Sequence, residues 1–274
     1  MIHIKKINSH IIKPIKVPKV EPDMIKGYDL IDKLYCTIFI CAKKESGKTN
    51  AIFKILKECT GKKTNLYIIS STVYNDDNWI EIVKYFENKN ITINTFTSID
   101  EANLDDLIED LEEEARKELE AKKNPPEEII KPRISLNFDD HEDEKKERKP
   151  KKIAPEYIFI FDDMSTQLRA KSISALIKKH RHFKTKIICS SQYPNDLAPE
   201  ARKNIDYWLL FGGHSEDKLL EIYNNCDLKI SFPLFLQLYE NETRKIYSFL
   251  FIDKNKGEFR RNLSHRYDIG RFSV

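Results

Sequence analysis

Short apolar runs alternate with amphipathic segments along most of the chain. A continuous apolar run of about four to eight residues, rich in β-branched and aromatic side chains, predicts a strand that is buried on both faces of a sheet. Such runs occupy residues 34–42, 65–70, 91–96, 157–161, 186–191 and 207–211. Segments with apolar positions at helical spacing occupy residues 48–58, 77–87, 104–122, 172–182 and 218–225. This alternation predicts an α/β fold with a central, mostly parallel sheet flanked by helices.

The C-terminal part of the pattern predicts a β-hairpin. Residues 244–253 and 258–262 are strand-like and flank the turn-like sequence Lys-Asn-Lys-Gly. We therefore place the main domain at residues 34–265 and interpret residues 266–274 as a basic C-terminal tail.

Residues 1–33 are expected to form a basic N-terminal arm. Five lysines precede the first acidic residue, Glu21, and three prolines interrupt any helix there. The alternative is a tail that packs across the core.

Residues 101–152 differ in kind from the rest of the domain. A charged helical segment carries only a thin stripe of leucines, and residues 123–152 then contain four prolines and blocks of opposite charge. A segment of that composition buries too little apolar surface to order itself. We interpret 101–152 as a charged insertion that projects from the domain, with 123–152 as its flexible part.

Composition adds few constraints. The chain has 274 residues, 47 Lys and Arg and 44 Asp and Glu, and its formal charge of +3 is too small to indicate a nucleic-acid partner by itself. No apolar run approaches the roughly 18 residues that a membrane-spanning helix needs, and the first ten residues lack the apolar stretch of a secretory signal, so we expect a protein that is not secreted. The five cysteines form no CxxC pair, which favours buried, reduced thiols.

The segment between the first predicted strand and the first predicted helix has the pattern of a phosphate-binding loop, and we call residues 42–49 the phosphate loop. Consecutive backbone N–H groups and a helix N-terminus create a positive concavity for phosphate oxygens. Gly47 permits close backbone approach, Lys48 reaches the β- and γ-phosphates, and the Thr49 hydroxyl can bind Mg²⁺. ATP and Mg²⁺ are therefore the predicted cofactors. The candidate nucleotide-binding residues are Ala42, Lys43, Lys44, Glu45, Ser46, Gly47, Lys48, Thr49 and Asn50.

Acidic residues follow a second buried strand. The run at 157–161 ends in Asp162 and Asp163, where α/β folds bind their ligands. We expect Asp162 to hold Mg²⁺ and Asp163 to accept the proton of the attacking water. The strand at 186–191 ends in Gln192, whose amide is suited to contact both the γ-phosphate and that water. A helix N-cap for the acids and a solvated loop position for Gln192 are the alternatives.

These elements together resemble the genome-packaging ATPases of large double-stranded DNA viruses and virophages, the poxvirus A32-like branch of the FtsK–HerA superfamily. The resemblance covers residues 34–265 outside the insertion. It rests on AKKESGKT (42–49), SSTVYNDDNW (70–79), FIFDDM (159–164), IICSSQYPNDLAP (187–199) and ARKNIDYWLLF (201–211). The chain departs from the family pattern with Ala42 in place of a glycine, Asp163 in place of a glutamate, and the charged insertion.

The resemblance implies an ASCE/RecA-like P-loop NTPase that hydrolyses ATP and translocates double-stranded DNA into a capsid. It implies a homo-oligomeric ring, most often a pentamer or hexamer, at a capsid portal or vertex, in the host cytoplasm (the viral factory) or in the virion. It also implies a strand order in which the Gln192 strand lies between the strands that lead to Lys48 and Asp162.

Ring ATPases commonly complete their site with an arginine from the next subunit, because charge builds up on the γ-phosphate. Arg202, ten residues beyond Gln192, is the first candidate, and Arg169 and Arg181 are the others. The alternative for Arg202 is a surface salt bridge. The acids considered for it are Asp196, Glu200 and Asp206.

Three other functions fit parts of the pattern. A small-molecule kinase would need an arginine-rich lid, and the insertion carries only three widely spaced arginines. A GTPase would need DxxG and NKxD signatures, but Asp162 is followed by Asp-Met-Ser, and Asn255-Lys256-Gly257-Glu258 only mimics the second. A non-motor DNA-binding scaffold with a vestigial nucleotide site is disfavoured by four intact residues: Lys48, Thr49, Asp162 and Asp163. For DNA, the candidate contacts are the early lysines together with Arg260, Arg261, Arg266 and Arg271.

Overall fold

The computed structural model describes Lys5 and residues 20–123 and 151–269. These ranges form one nine-stranded sheet with helices on both faces, so the predicted α/β fold is confirmed. The strands are β1 (Cys36–Cys41), β2 (Asn65–Ser70), β3 (Thr92–Phe96), β4 (Tyr157–Asp162), β5 (Thr185–Ser191), β6 (Tyr207–Phe211), β7 (Phe249–Asp253), β8 (Glu258–Arg261) and β9 (His265–Arg266). The helices are α1 (Lys48–Cys59), α2 (Asp77–Glu87), α3 (Glu101–Lys123), α4 (Lys171–Lys179), α5 (Pro199–Arg202), α6 (Glu216–Cys226) and α7 (Phe232–Thr243).

The strand order is β3-β2-β4-β5-β1-β6-β7-β8-β9. Neighbours from β3 to β6 pair in parallel, and β7, β8 and β9 continue the sheet in antiparallel pairs. The strand that leads to Gln192, β5, lies between β1 and β4, as the resemblance implies. Since the carboxyl ends of parallel strands meet at one edge, the segments that follow β1, β4 and β5 are neighbours.

The sheet separates two apolar layers. Successive side chains of β1 point to opposite faces, so Ile38 and Ile40 pack with α1 and α2, while Phe39 and Cys41 pack with α3, α4, α6 and α7. All five cysteines are buried free thiols. Burial raises the pKa of Cys36 and of Cys189 to about 12, which keeps both thiols protonated.

Helix α3 covers the first part of the predicted insertion, and it is packed on the domain rather than projecting from it. Leu104, Ile108 and Leu111 are buried against the core, and the Ser172 hydroxyl of α4 donates to Asp105 at 2.5 Å. Parallel strands need a crossover that returns along the sheet, and α3 supplies part of the crossover between β3 and β4. The thin apolar stripe was therefore enough to bury one side of the helix. Residues 124–150, which hold most of the segment predicted to be flexible, lie outside the described residues.

The C-terminal hairpin is present, but its first strand is shorter than predicted. Strand β7 begins at Phe249, and residues 244–248 form turns between it and helix α7, which the pattern did not predict. Pro233 lies in the first turn of α7, where a missing N–H costs nothing. The apolar side of the helix is buried through Phe235, Leu238 and Tyr239.

The described part of the predicted N-terminal arm packs against the domain. Ile31 is fully buried, Ile25 forms a bridge with Ile153, and Lys33 pairs with Asp206 at 2.5 Å. Within the described ranges, no helix is both long and apolar enough to cross a membrane.

Candidate active site

The phosphate loop joins the end of β1 at Cys41 to the start of α1 at Lys48. Gly47 is the N-cap of α1 and has a φ of 87°, in the left-handed region where glycine is favoured. Glu45 has a φ of 60°, whereas Ala42 is not among the positive-φ residues. An alanine in place of the usual glycine at 42 therefore imposes no backbone strain.

One polar atom in this loop is left without a partner. Among the described residues, the Ser46 hydroxyl oxygen is buried and makes no hydrogen bond. Buried polar groups in proteins are nearly always satisfied, so this hydroxyl fits an oxygen acceptor that enters the loop.

Lys48 faces both predicted acids. Its ammonium nitrogen lies 3.1 Å from Asp162 Oδ1 and also pairs with the carboxylate of Asp163. The Lys48 side chain is only 10% exposed and that of Asp162 only 4% exposed. The geometry brings the phosphate-binding lysine and the strand-end acids together at one edge of the sheet.

The two acids have different surroundings. The second carboxylate oxygen of Asp162 accepts a hydrogen bond from the indole nitrogen of Trp79 at 3.0 Å. Asp163 is 36% exposed and has a φ of 53°, and its backbone N–H donates to the Ser190 carbonyl at 3.2 Å. Asp162 is thus fixed in the interior, while Asp163 turns away from the strand toward solvent.

Trp79 is a site residue whose role the sequence alone did not indicate. It lies in the segment 70–79, which the family resemblance singled out, on the first turns of α2. Asp76 caps this helix by accepting from the Asn78 N–H at 2.9 Å, and the cap sets where the helix starts. The helix then carries a fully buried indole to a carboxylate 83 residues away in the chain.

Gln192 follows β5 between the phosphate loop and the acids. Ser191 is in register with Cys41 of β1, and Ser190 is in register with Asp162 of β4. The Cys41 thiol donates to the Gln192 carbonyl at 3.4 Å, and the Gln192 residue is half-buried. The sheet thus places residue Gln192 between the phosphate loop and the acids.

Arg202 has partners in its own chain. Its Nη1 donates to Glu221 Oε1 at 2.8 Å and to Asn195 Oδ1 at 2.5 Å, and the side chain is 12% exposed. None of the acids considered from the sequence is its partner. Glu221 belongs to α6, so the contact joins α5 to α6.

A second group of side chains at this edge was missed by the sequence analysis. His214 follows β6, and its Nε2 lies 3.1 Å from the Cys41 carbonyl at the start of the phosphate loop. Burial lowers the pKa of His214 to about 4, so the ring is neutral near pH 7. Lys218 lies 3.8 Å from the centroid of the Tyr193 ring, and burial lowers its pKa. The Lys43 side chain packs close to Gly213, next to His214.

The fold was compared with solved structures. B204, the DNA-packaging ATPase from Sulfolobus turreted icosahedral virus, matches with a TM-score of 0.50 at 18% identity, over 82% of this chain and 96% of that one. This chain has the fold of a P-loop ATPase. The genome-packaging NTPase B204 from Sulfolobus turreted icosahedral virus 2, in complex with ATP-gammaS, matches with a TM-score of 0.49 at 16% identity, over 84% and 97% of the two chains.

Thermomonospora curvata EccC (ATPases 2 and 3), in complex with a signal sequence peptide, matches with a TM-score of 0.45 at 11% identity, over 85% of this chain and 37% of that one. No protein-family model matches the chain, and no curated protein matches it in sequence.

Proposed function

We propose that this protein is an ATP-hydrolysing motor that moves double-stranded DNA into a viral capsid. The observation that carries the proposal is the contact of Lys48 with both Asp162 and Asp163, next to the strand that ends in Gln192. A phosphate-binding lysine, an acid for the metal and an acid for the water are the parts that a phosphate-loop hydrolase needs. The fold shared with B204, which is described as a DNA-packaging ATPase, supports a packaging role.

The phosphate loop, extended to Asn50, would hold the triphosphate. Its backbone N–H groups and the N-terminus of α1 favour negative charge, and the unpaired Ser46 hydroxyl can donate to a phosphate oxygen. Lys48 would stabilise the charge that develops on the β–γ bridge.

Thr49 and Asp162 are the residues that would hold Mg²⁺. Both offer oxygen ligands, which Mg²⁺ prefers, and both lie at the carboxyl edge of the sheet, Thr49 at the start of α1 and Asp162 at the end of β4. When bound, the ion would neutralise part of the negative charge on the phosphates. Trp79 orients Asp162 by occupying its other oxygen.

Asp163 is the proposed general base. It is partly exposed at the end of β4, so water reaches it, whereas Asp162 is buried. Gln192, on the neighbouring strand end, would position the attacking water and sense the γ-phosphate.

The proposed assembly is a homo-oligomeric ring, a pentamer or hexamer, at a capsid portal or vertex, acting in the host cytoplasm or the virion. Arg202 remains the proposed trans-acting arginine. For that role its guanidinium must exchange Glu221 for a phosphate of the neighbouring subunit. Arg169 and Arg181 are exposed, and they are the next candidates.

The DNA contacts need a basic surface, and three of the arginines first considered are engaged in ion pairs. Arg260 and Arg266 pair with Glu258, and Arg261 pairs with Glu242. A groove at the opposite edge of the sheet has a lysine-rich rim and offers a better surface for a DNA backbone. Its lysines are Lys26, Lys62, Lys63, Lys151 and Lys152.

One pair of measurements tests the function: the ATPase rate of the full chain with and without duplex DNA, and the mass of the oligomer. We expect hydrolysis that duplex DNA stimulates, and DNA affinity that falls steeply with salt and shows no base preference. Hydrolysis that needs a small-molecule acceptor would favour a kinase. DNA binding without hydrolysis would favour the scaffold.

A further inference from the structure

Tyr247 lies directly on the phosphate loop. A Cβ placed on Gly47 would be 2.8 Å from the Tyr247 Cδ1 and 3.4 Å from its Cγ and Cβ. The ring therefore packs against the glycine that caps α1. No sequence motif pointed to this residue, which lies 200 positions beyond Gly47.

Tyr247 combines an unfavourable backbone conformation with an exposed side chain. Its φ is 66°, in the left-handed region that non-glycine residues rarely adopt, and the residue is 67% exposed. Within the described ranges its hydroxyl has no hydrogen-bond partner. A strained backbone that holds an exposed aromatic ring beside a ligand loop indicates a functional role.

The sheet places Tyr247 on one particular side of the loop. Phe249 at the start of β7 is in register with Phe211 at the end of β6, so Tyr247 lies at the same edge as the phosphate loop. Strand β6 flanks β1 on the side opposite to β5 and β4. Tyr247 is thus on the far side of the loop from Asp162 and Gln192.

This placement fits the two ends of a nucleotide. The terminal phosphate belongs with Lys48, Asp162 and Asp163, on the side of β4 and β5. The α-phosphate, ribose and base must then extend away from the acids, toward β6 and β7. The ring of Tyr247 offers an exposed aromatic face there.

We propose that Tyr247 stacks on the base of the nucleoside triphosphate bound by the phosphate loop. The inference rests on the proposed nucleotide binding and adds the residue that contacts the base. Every base presents a π-face, so stacking strengthens binding without selecting one base strongly. Besides its positive φ, a second feature favours glycine at position 47: a methyl group there would displace the Tyr247 ring.

The test compares ATP with inorganic tripolyphosphate, which has the phosphates but no base. Binding of each to the full chain is measured by calorimetry for wild type, Tyr247→Ala, Tyr247→Phe and Ile246→Ala. Ile246 is the neighbouring residue, is 81% exposed, and serves as the matched control. We expect Tyr247→Ala to weaken ATP binding about tenfold and to leave tripolyphosphate binding unchanged, with the other two variants near wild type.

A second variant reports stacking directly. The two native tryptophans, Trp79 and Trp208, are fully buried, so Tyr247→Trp adds the one exposed indole of the chain. ATP should quench its fluorescence and tripolyphosphate should not.

Four outcomes would overturn the proposal. If Tyr247→Ala weakens the binding of ATP and of tripolyphosphate equally, the ring only supports the conformation of the loop. If the variant binds both ligands more tightly than wild type, the ring blocks access to the loop. Unchanged ATP binding would remove Tyr247 from the site while leaving the proposed function intact. A wild-type chain that binds neither ligand would overturn the proposed function as well.

Discussion

The indole nitrogen of Trp79 donates a hydrogen bond to Asp162 Oδ2 at 3.0 Å, while the other oxygen of this carboxylate lies 3.1 Å from the Lys48 ammonium. The two oxygens of this buried carboxylate therefore face two different partners. A group that fixes a metal ligand contributes to metal affinity without touching the metal.

Trp79→Phe should raise the Mg²⁺ concentration needed for half-maximal hydrolysis by about 10- to 100-fold, because it removes the group that orients Asp162. ATPase rate measured against Mg²⁺ concentration checks this. The matched control is Trp208→Phe, since Trp208 is equally buried and, among the described residues, its indole nitrogen has no partner. Equal Mg²⁺ dependence in the two variants would contradict the orienting role.

Lys48→Ala should abolish hydrolysis, because it removes the cation that stabilises charge on the β–γ bridge. Steady-state phosphate release measures the effect. Lys54→Ala is the control, since Lys54 lies on the exposed side of the same helix and pairs with Glu58 at 2.9 Å. Loss of activity in both variants would indicate damage to α1 rather than to the chemistry.

Asp163→Asn should leave ATP binding intact and slow turnover by about 10²-fold or more, because an amide cannot accept the proton. Asparagine tolerates the left-handed φ of 53° at this position, so the substitution adds little backbone strain. Binding by calorimetry and turnover by phosphate release separate the two effects. Near-normal turnover would remove Asp163 from the role of base.

Arg202→Ala should bind ATP normally and hydrolyse it poorly if the arginine acts on a neighbouring subunit. Mixing it with Lys48→Ala subunits should restore part of the activity, because some interfaces then combine an intact Lys48 with an intact Arg202. Glu221→Gln is the control, as it removes the charge of the ion-pair partner seen at 2.8 Å but keeps the guanidinium. Mixed rings that assemble and stay inactive would shift attention to Arg181.

His214 should make stability depend on pH. Burial lowers its folded-state pKa from 6.5 to about 4, so between these values the unfolded state binds more protons than the folded state. The stability that the folded state gains by keeping this ring neutral is fully present above pH 6.5 and is lost as the pH falls toward 4. Urea unfolding at pH 7 and pH 5 should show a larger loss for wild type than for His214→Gln, and equal losses would show that His214 is not the titrating group.

Local patterns predicted the strands and the phosphate loop because those features depend on neighbouring residues. Strands β2 and β6 have the predicted bounds, 65–70 and 207–211, because a short apolar run makes up the middle of β2 and the whole of β6. Helix α7 was missed because its apolar residues are too closely spaced to separate a helical from an extended pattern.

The partners of individual side chains could not be predicted in the same way. Trp79 of α2 meets Asp162 at the end of β4, and Arg202 of α5 meets Glu221 of α6. Both contacts depend on how separate elements pack against one another. The sequence placed Trp79 and Arg202 in segments that carry the family resemblance, but it could not show which atoms they contact.

The register that joins β4, β5 and β1 also has a mechanical consequence. Asp162 pairs with Ser190, and Ser191 pairs with Cys41, so the strand ends around the site are linked by a continuous hydrogen-bonded ladder. Such a ladder resists bending, so these strand ends can shift relative to one another only at the cost of breaking it. In the proposed ring motor, we therefore expect each subunit to transmit force by rotating as a rigid domain, with flexing confined to the loops at the edges of the sheet.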